Sequence, residues 1–250
     1  MPVFGKQDVE AAAARAPLMT GFDTDAWELK GAQILQLSYE IVEEPAEWLI
    51  PPALHPSIPP YVTLSVMQYP DSPVGPFALA QVRIIVRAGI RPRGYLLGAY
   101  VNSDTAAQEL RARWGFSVET AIVSLQSRHD RVTGTVERNS ETILEIELEN
   151  SEHISGTDVT YLASLHLARV QDQNMPIIVQ VDPEYVFHNA QRGRPRITTF
   201  KTDAWGGDER LRYTTPIIAT MTQCDTDLPH LRFALDPSKP AATGGRRLAA

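Results

Sequence analysis

Lysine is scarce in this 250-residue chain: Lys6, Lys30, Lys201 and Lys239 are the whole set, and arginine supplies the rest of the 23 basic residues. Lys6 and Lys239 lie near the ends and Lys30 in a polar N-terminal stretch. Chemistry that needs an amine nucleophile therefore has Lys201 as its one interior candidate, and a solvated surface lysine is the simpler reading of it. The single cysteine, Cys224, excludes an intramolecular disulfide and a thiolate cluster, and is expected as a buried thiol. His55, His129, His153, His166, His188 and His230 show no HExxH or other compact ligand spacing, so no metal is expected. There is no GxSxG elbow and no phosphate-binding or dinucleotide glycine loop, and Gly206-Gly207 reads as a turn. No cofactor is implied. No apolar run is long enough to span a bilayer, and the first residues carry acids where a signal peptide has its apolar core. A cytoplasmic location without membrane contact is expected. A net charge of −7 gives no general electrostatic reason to bind nucleic acid.

What is present is an ordinary globular composition, 43% apolar and 21% charged, and a long series of short alternating runs. Strands are expected at Ala32–Val42, Val62–Gln68, Val82–Val86, Tyr95–Val101, Thr120–Gln126, Asp130–Glu137, Glu141–Leu148, Thr157–Val170, Pro176–Val181, Ile197–Phe200, Pro216–Gln223 and Leu231–Leu235. An alanine-rich helix is expected over residues 7 to 16, stopped by Pro17, and Met19–Lys30 reads as irregular. Prolines crowd Pro45 to Pro60, which excludes regular ladders and makes that stretch an extended wall. Glu145, Glu147 and Glu149 share one face of their strand and read as a solvated stripe, not a metal cage. The pattern predicts a mainly β α+β fold. It has antiparallel strands that close or nearly close into a barrel, and a few short helices. No repeat or linker divides it, so residues 1–34 are expected as a helix and irregular lead, 35–237 as one domain, and 238–250 as a disordered tail.

The stretch from Gln81 to Thr120 organises the rest. Val82, Ile84 and Val86 alternate with Arg83, Ile85 and Arg87; Arg91-Pro92-Arg93-Gly94 offers a turn; Tyr95–Val101 is a second apolar run. Ser103-Asp104-Thr105 supplies caps, with Thr105 and Gln108 at capping-box spacing, for a helix that Gly115 stops. Then comes Arg111-Ala-Arg-Trp114-Gly115-Phe116-Ser117-Val118-Glu119. Here the chain resembles the acetoacetate decarboxylase superfamily, whose members carry Arg-Glu, two residues, Gly, an aromatic, Pro and two lysines after a Gly-Tyr strand and a short helix. Arg111, Trp114, Gly115 and Phe116 keep that frame. Ser117 replaces the proline, and the lysine positions fall on Val118 and Glu119.

The resemblance implies an acetoacetate decarboxylase-like barrel, a lyase, a small oxo or carboxylic acid as partner and a homo-oligomer. The departures imply a changed mechanism. In the family the first lysine forms a Schiff base with the substrate and the second lowers its pKa; acetoacetate decarboxylase is itself the standard instance of that activation. Valine has no nucleophile, and a glutamate would raise a neighbouring lysine's pKa. The family's pocket acid falls near Leu79 to Gln81. The expected activity is therefore decarboxylation of an oxo or para-hydroxyaryl acid that carries its own electron sink. Glu119 is the candidate acid or base, Gln81 an orienting donor, and Arg83 or Arg111 the substrate anchor. Of Tyr95 and Tyr100, on opposite faces by simple alternation, one is expected to point inward. Gly98 suggests a roomy cavity, and Trp114, Phe116 and Val118 its apolar wall. A hydratase, dehydratase or cyclase acting on an oxo compound, or a non-catalytic binding protein, are the alternatives.

Overall fold

The computed structural model describes residues 4–22, 25–42, 46–207 and 209–248. Helix α1 (Val9–Arg15) is N-capped by Asp8. The strands that follow are β1 (Leu18–Met19), β2 (Trp27–Glu40), β3 (His55–Pro56), β4 (Tyr61–Tyr69), β5 (Phe77–Ala88) and β6 (Arg91–Val101). After helix α2 (Asp104–Trp114) come β7 (Val118–Thr120), β8 (Ile122–Arg128), β9 (Arg131–Arg138), β10 (Glu141–His153), β11 (Ser164–Val170) and β12 (Ile177–Val181). The chain continues through β13 (Glu184–Phe200), β14 (Thr215–Leu228), β15 (Phe233–Leu235) and β16 (Gly245–Arg247).

These strands form one hydrogen-bonded path, β16-β15-β12-β11-β6-β5-β4-β2-β14-β13-β10-β9-β8, with β1, β3 and β7 attached at its side. The fold is mainly β, as the alternation predicts, but the ladder is mixed and does not close. β11 runs parallel to β6, and β7 parallel to β6. Closure is by side chains instead. The β8–β9 hairpin folds over β2 and β4, so close that a Cβ on Gly134 would lie 2.8 Å from Val66. One buried cluster fills that fold-over, with Leu35, Leu37, Leu64, Val66, Val82, Ile84, Leu144 and Ile146 among its members. A second cluster lies on the opposite face of β4–β6, under α2, and holds Trp27, Leu79, Leu110, Trp114, Phe116, Val118 and Val179.

Several boundaries move for identifiable reasons. The β5–β6 turn is Gly89-Ile90, with Gly89 at φ +73, and Arg91–Gly94 already pair with Ala88–Ile85. Glycine at the first position of a two-residue hairpin loop fits the strand twist better than the proline turn the sequence suggests. Helix α2 starts two residues before Ala106 because Ser103, not Thr105, caps it, accepting from the Ala106 N–H. Strand β13 is continuous over seventeen residues because β10 and β14 pair along both its sides, although its arginines, Gly193 and Pro195 suggest a break. The lead is not irregular up to residue 34, since β2 begins at Trp27. Nor is the tail unstructured: Ala241–Gly244 forms one helical turn, and β16 pairs with β15. Of the proline-rich wall, Pro45 lies outside the described residues, and the remainder holds only β3 and a short 3-10 turn, Glu47–Leu49. The glutamate stripe is not simply solvated either. Glu147 is buried, with Arg131 at 3.4 Å and Arg196 at 3.6 Å.

Candidate active site around a buried arginine

Strand β5 sends Val82, Ile84 and Val86 into the first core cluster, so Gln81, Arg83 and Ile85 face the other way. On that second face four neighbouring strands place polar side chains in register. One row across the sheet reads Thr220, Gln36, Ser65, Gln81; the next reads Ile218, Ser38, Thr63, Arg83. All of these polar residues but Gln36 are buried. Buried polar rows are costly unless something satisfies them, and here part of the need is unmet. Thr63 Oγ1, Arg83 Nε, Gln81 Oε1 and, nearby, Thr226 Oγ1 are buried without a hydrogen-bond partner among the described residues.

Arg83 is the centre of this arrangement. Its side chain is 6% exposed. Nη1 donates to the Leu162 carbonyl at 3.1 Å and Nη2 to Gln36 Oε1 at 3.0 Å. Among the described residues no carboxylate pairs with it. Burial lowers its pKa from the ordinary arginine value, and the phenols of Tyr185, Tyr69 and Tyr161 oppose that shift. An arginine stays charged even so. A fixed cation without a counter-charge in a desolvated place is the environment in which an anionic ligand gains most.

Two spaces meet at Arg83. On one side is an open cleft of about 460 Å³, whose floor includes Gln36, Thr63 and Thr220. On the other is a cavity of about 30 Å³ bounded by Met67, Tyr69, Leu79, Gln81, Phe116 and Tyr185. The smaller space takes a water-sized or carbon-dioxide-sized group and no more. Its titratable neighbours are held neutral. Burial raises Tyr69 well above the usual phenol range and pushes Tyr185 up to about 12. Burial also lowers His166 to about 4. The His166 Nδ1–H donates to the Trp114 carbonyl at 2.7 Å, and Nε2 accepts from the Ser164 hydroxyl at 2.7 Å.

None of the four lysines lines either space. Each instead makes an ion pair: Lys6 with Glu47, Lys30 with Glu28, Lys201 with Glu141 and Lys239 with Asp236.

A model of the acetoacetate decarboxylase (ADC) family matches residues 15–229. The chain belongs to the acetoacetate decarboxylase family. Solved structures agree on the fold. An acetoacetate decarboxylase from Legionella pneumophila superposes with a TM-score of 0.75 at 14% identity, covering 92% of this chain and 90% of that one. An acetoacetate decarboxylase-like enzyme from Sphingomonas wittichii gives 0.68 at 14% identity, over 91% and 94%. The enduracididine biosynthesis enzyme MppR complexed with pyruvate gives 0.67 at 13%, over 92% and 93%. No curated protein matches the sequence.

The residues nominated from this family's motif divide between the two faces of the sheet. Val118 pairs with Ala99, and Ala99 with Gln81, so the family's lysine position lies in the same row as Gln81, two strands away, roughly 10 Å. Phe116 reaches the small cavity and packs on His166 with ring centroids 4.2 Å apart. Trp114 is core, its Nε1–H donating to the Pro229 carbonyl at 2.9 Å. Arg111 Nε donates to the Val118 carbonyl at 2.8 Å, fastening β7 to the end of α2, so it is spent on the chain itself.

Glu119 pairs with Tyr100, on the opposite face from Gln81. Its carboxylate is more than half exposed and bonds Arg138. Gln81 and Glu119 do not share a cavity. Tyr95 and Tyr100 both enter the first core cluster, against simple alternation, because Leu97 is an extra residue on β6 opposite β5 and resets the parity. Gly98 lines a separate cavity of about 290 Å³ with Tyr95, Tyr100 and Glu119, and it lies tight against Trp205: a Cβ there would meet the Trp205 backbone at 3.2 Å. Arg83, Gln81 and Phe116 are thus the nominees gathered at the buried arginine, while Tyr95, Gly98 and Glu119 line the other cavity. Gln36, Thr63, Thr220, Ser164 and Tyr185 complete the site, and His166 backs it through Ser164 and Phe116. The signal for Gln36, Thr63, Thr220 and Ser164 in the sequence was Ser, Thr and Gln within strands, a pattern identical to that of a solvated face.

Proposed function

We propose that this chain is a lyase that decarboxylates an oxo acid, or a para-hydroxyaryl acid, without an imine intermediate. The observation that carries the reading is Arg83: a buried guanidinium with no acidic partner among the described residues, between a cleft and a small cavity that no lysine lines. Decarboxylation of a β-oxo acid breaks the Cα–carboxylate bond and moves its electron pair into the carbonyl, leaving an enolate and carbon dioxide. With the oxo oxygen on Arg83, the attraction grows as charge arrives there, so it stabilises the transition state more than the bound acid. The cavity walled by Leu79, Phe116 and Met67 suits the neutral carbon dioxide better than the carboxylate it comes from. Tyr185, kept protonated to about pH 12, can donate to the enolate carbon or oxygen and recover its proton from solvent. Gln81 orients the acid through its amide N–H, which in the free protein has the weak Met67 sulfur acceptor at 3.6 Å. For a para-hydroxyaryl acid the ring is the sink, and the phenolic oxygen takes the place at Arg83.

The test is carbon dioxide release across β-oxo and para-hydroxyaryl acids, with borohydride in parallel and with Arg83→Met. Release that borohydride leaves intact and Arg83→Met reduces at least a hundredfold supports the reading. Borohydride inactivation with a mass label on a lysine overturns it. Tight binding of these acids with no release makes the chain a binding protein.

A further inference from the structure

The cleft on the outer side of Arg83 is far larger than an oxo-acid head needs, and its chemistry changes along its depth. At the floor are Arg83 and the Thr63 hydroxyl, both buried and both with an unpartnered polar atom. At the mouth are Ile58, Ile217 and Ile218, respectively 75%, 49% and 38% exposed. Single exposed aliphatic residues are ordinary, but three around one opening form an apolar collar. The acid that lines the cleft, Asp158, is exposed at its side and makes no pair with Arg83.

From this gradient we infer that the substrate is a monoacid with an uncharged aryl or branched-alkyl body, its acid or oxo end at Arg83 and its body between the isoleucines. The inference rests on the proposed function for the position of the head group and adds the class of the rest of the molecule. Polar atoms at the floor anchor and orient the head, while the apolar mouth rewards each added carbon. Asp158 disfavours a second carboxylate at the far end. A short acid such as acetoacetate would leave the collar wet. An aryl or branched body covers it, and gains affinity roughly three- to fourfold per methylene buried.

Calorimetric titration of unreactive acids measures this directly, using propanoate, 4-methylpentanoate, 3-phenylpropanoate and the diacid glutarate. Wild type is expected to bind 3-phenylpropanoate at least thirtyfold more tightly than propanoate, and glutarate no more tightly than propanoate. The double variant Ile58→Ser/Ile217→Ser, altered only at exposed side chains, is expected to compress that ratio to a few-fold. A flat series in wild type overturns the inference, as does a ratio that the double variant leaves intact, or glutarate as the tightest ligand. Arg83→Met separates the two levels: it is expected to weaken every acid. If it weakens none, the anchor and the proposed function fall together. If it weakens all while the series is flat, only the inference about the body falls.

Discussion

His166 sits on β11 with 1% of its surface exposed, its ring against Phe116 and both nitrogens hydrogen-bonded as a neutral imidazole. Burial, helped by the positive charge of Arg83, holds its pKa at about 4 against an ordinary 6.5; the bond to the Trp114 carbonyl opposes this but does not prevail. The consequence for stability has a definite sign. Between pH 6.5 and 4 the unfolded chain takes up a proton that the folded chain refuses, so the unfolded state gains as pH falls. The stabilisation is complete above pH 6.5 and is lost as pH falls through about 4. At roughly 1.4 kcal/mol per pH unit, the whole window is worth about 3 kcal/mol, a large share of the ~5–15 kcal/mol that holds a domain. Urea unfolding at pH 7.0, 5.5 and 4.5 measures it, with His166→Gln as the comparison. Glutamine keeps a donor for Trp114 and an acceptor for Ser164 but cannot titrate. Asp225 and Asp236, held below the usual carboxylate range by their hydrogen-bond partners, also lose stabilisation in acid. They do so in both proteins and cancel in the difference. Wild type is expected to lose most of the 3 kcal/mol relative to His166→Gln by pH 4.5. Parallel profiles for the two proteins would refute the account of a buried neutral histidine.

Glu119→Gln is expected to leave ligand affinity and carbon dioxide release unchanged, and stability within about 1 kcal/mol, because its exposed pair with Arg138 lies across the sheet from Arg83. A tenfold loss of turnover would return Glu119 to the mechanism. Gly115→Ala is expected to destabilise by about 2–4 kcal/mol. Gly115 caps α2 at φ +64, and a Cβ there would lie 2.8 Å from Ala168 and 3.0 Å from Met19 Sδ. Chemical denaturation reads the loss, and a change under 0.5 kcal/mol would show that the cap relaxes freely.

Much of the fold was legible because its signals are local. The alternation at Val82–Val86, the helix between Ser103 and Gly115, and the Arg111–Phe116 motif each occupy a few consecutive residues, and each identifies its element or its family. The candidate site was legible in part. Arg83 stood out as a charge inside an apolar run, but the same alternation describes an arginine facing water and one facing a sealed interior. Which applies depends on what covers that face, and the cover comes from far away in the chain: Leu162 and the residues around Val159 on one side, Ile58 and Pro59 on the other.

The sequence by itself determined a strand-rich chain of this family, the scarcity of lysine, and the absence of a nucleophile at Val118. Those are statements about residue identity and short-range period. Only the tertiary structure decided which face each residue serves. One extra residue, Leu97, reverses the alternation along β6, bringing Tyr95 and Tyr100 to the same side. Glu119 lies on that side and Gln81 on the other, with Arg83. A strand's period is two, so a single bulge exchanges inside for outside, and nothing in the local sequence announces it. Packing also set the Trp205 backbone against Gly98, whose cavity is separate from the spaces at Arg83. It brought Thr63, Gln36 and Arg83 together from three strands whose contact is fixed by pairing rather than by proximity in the chain.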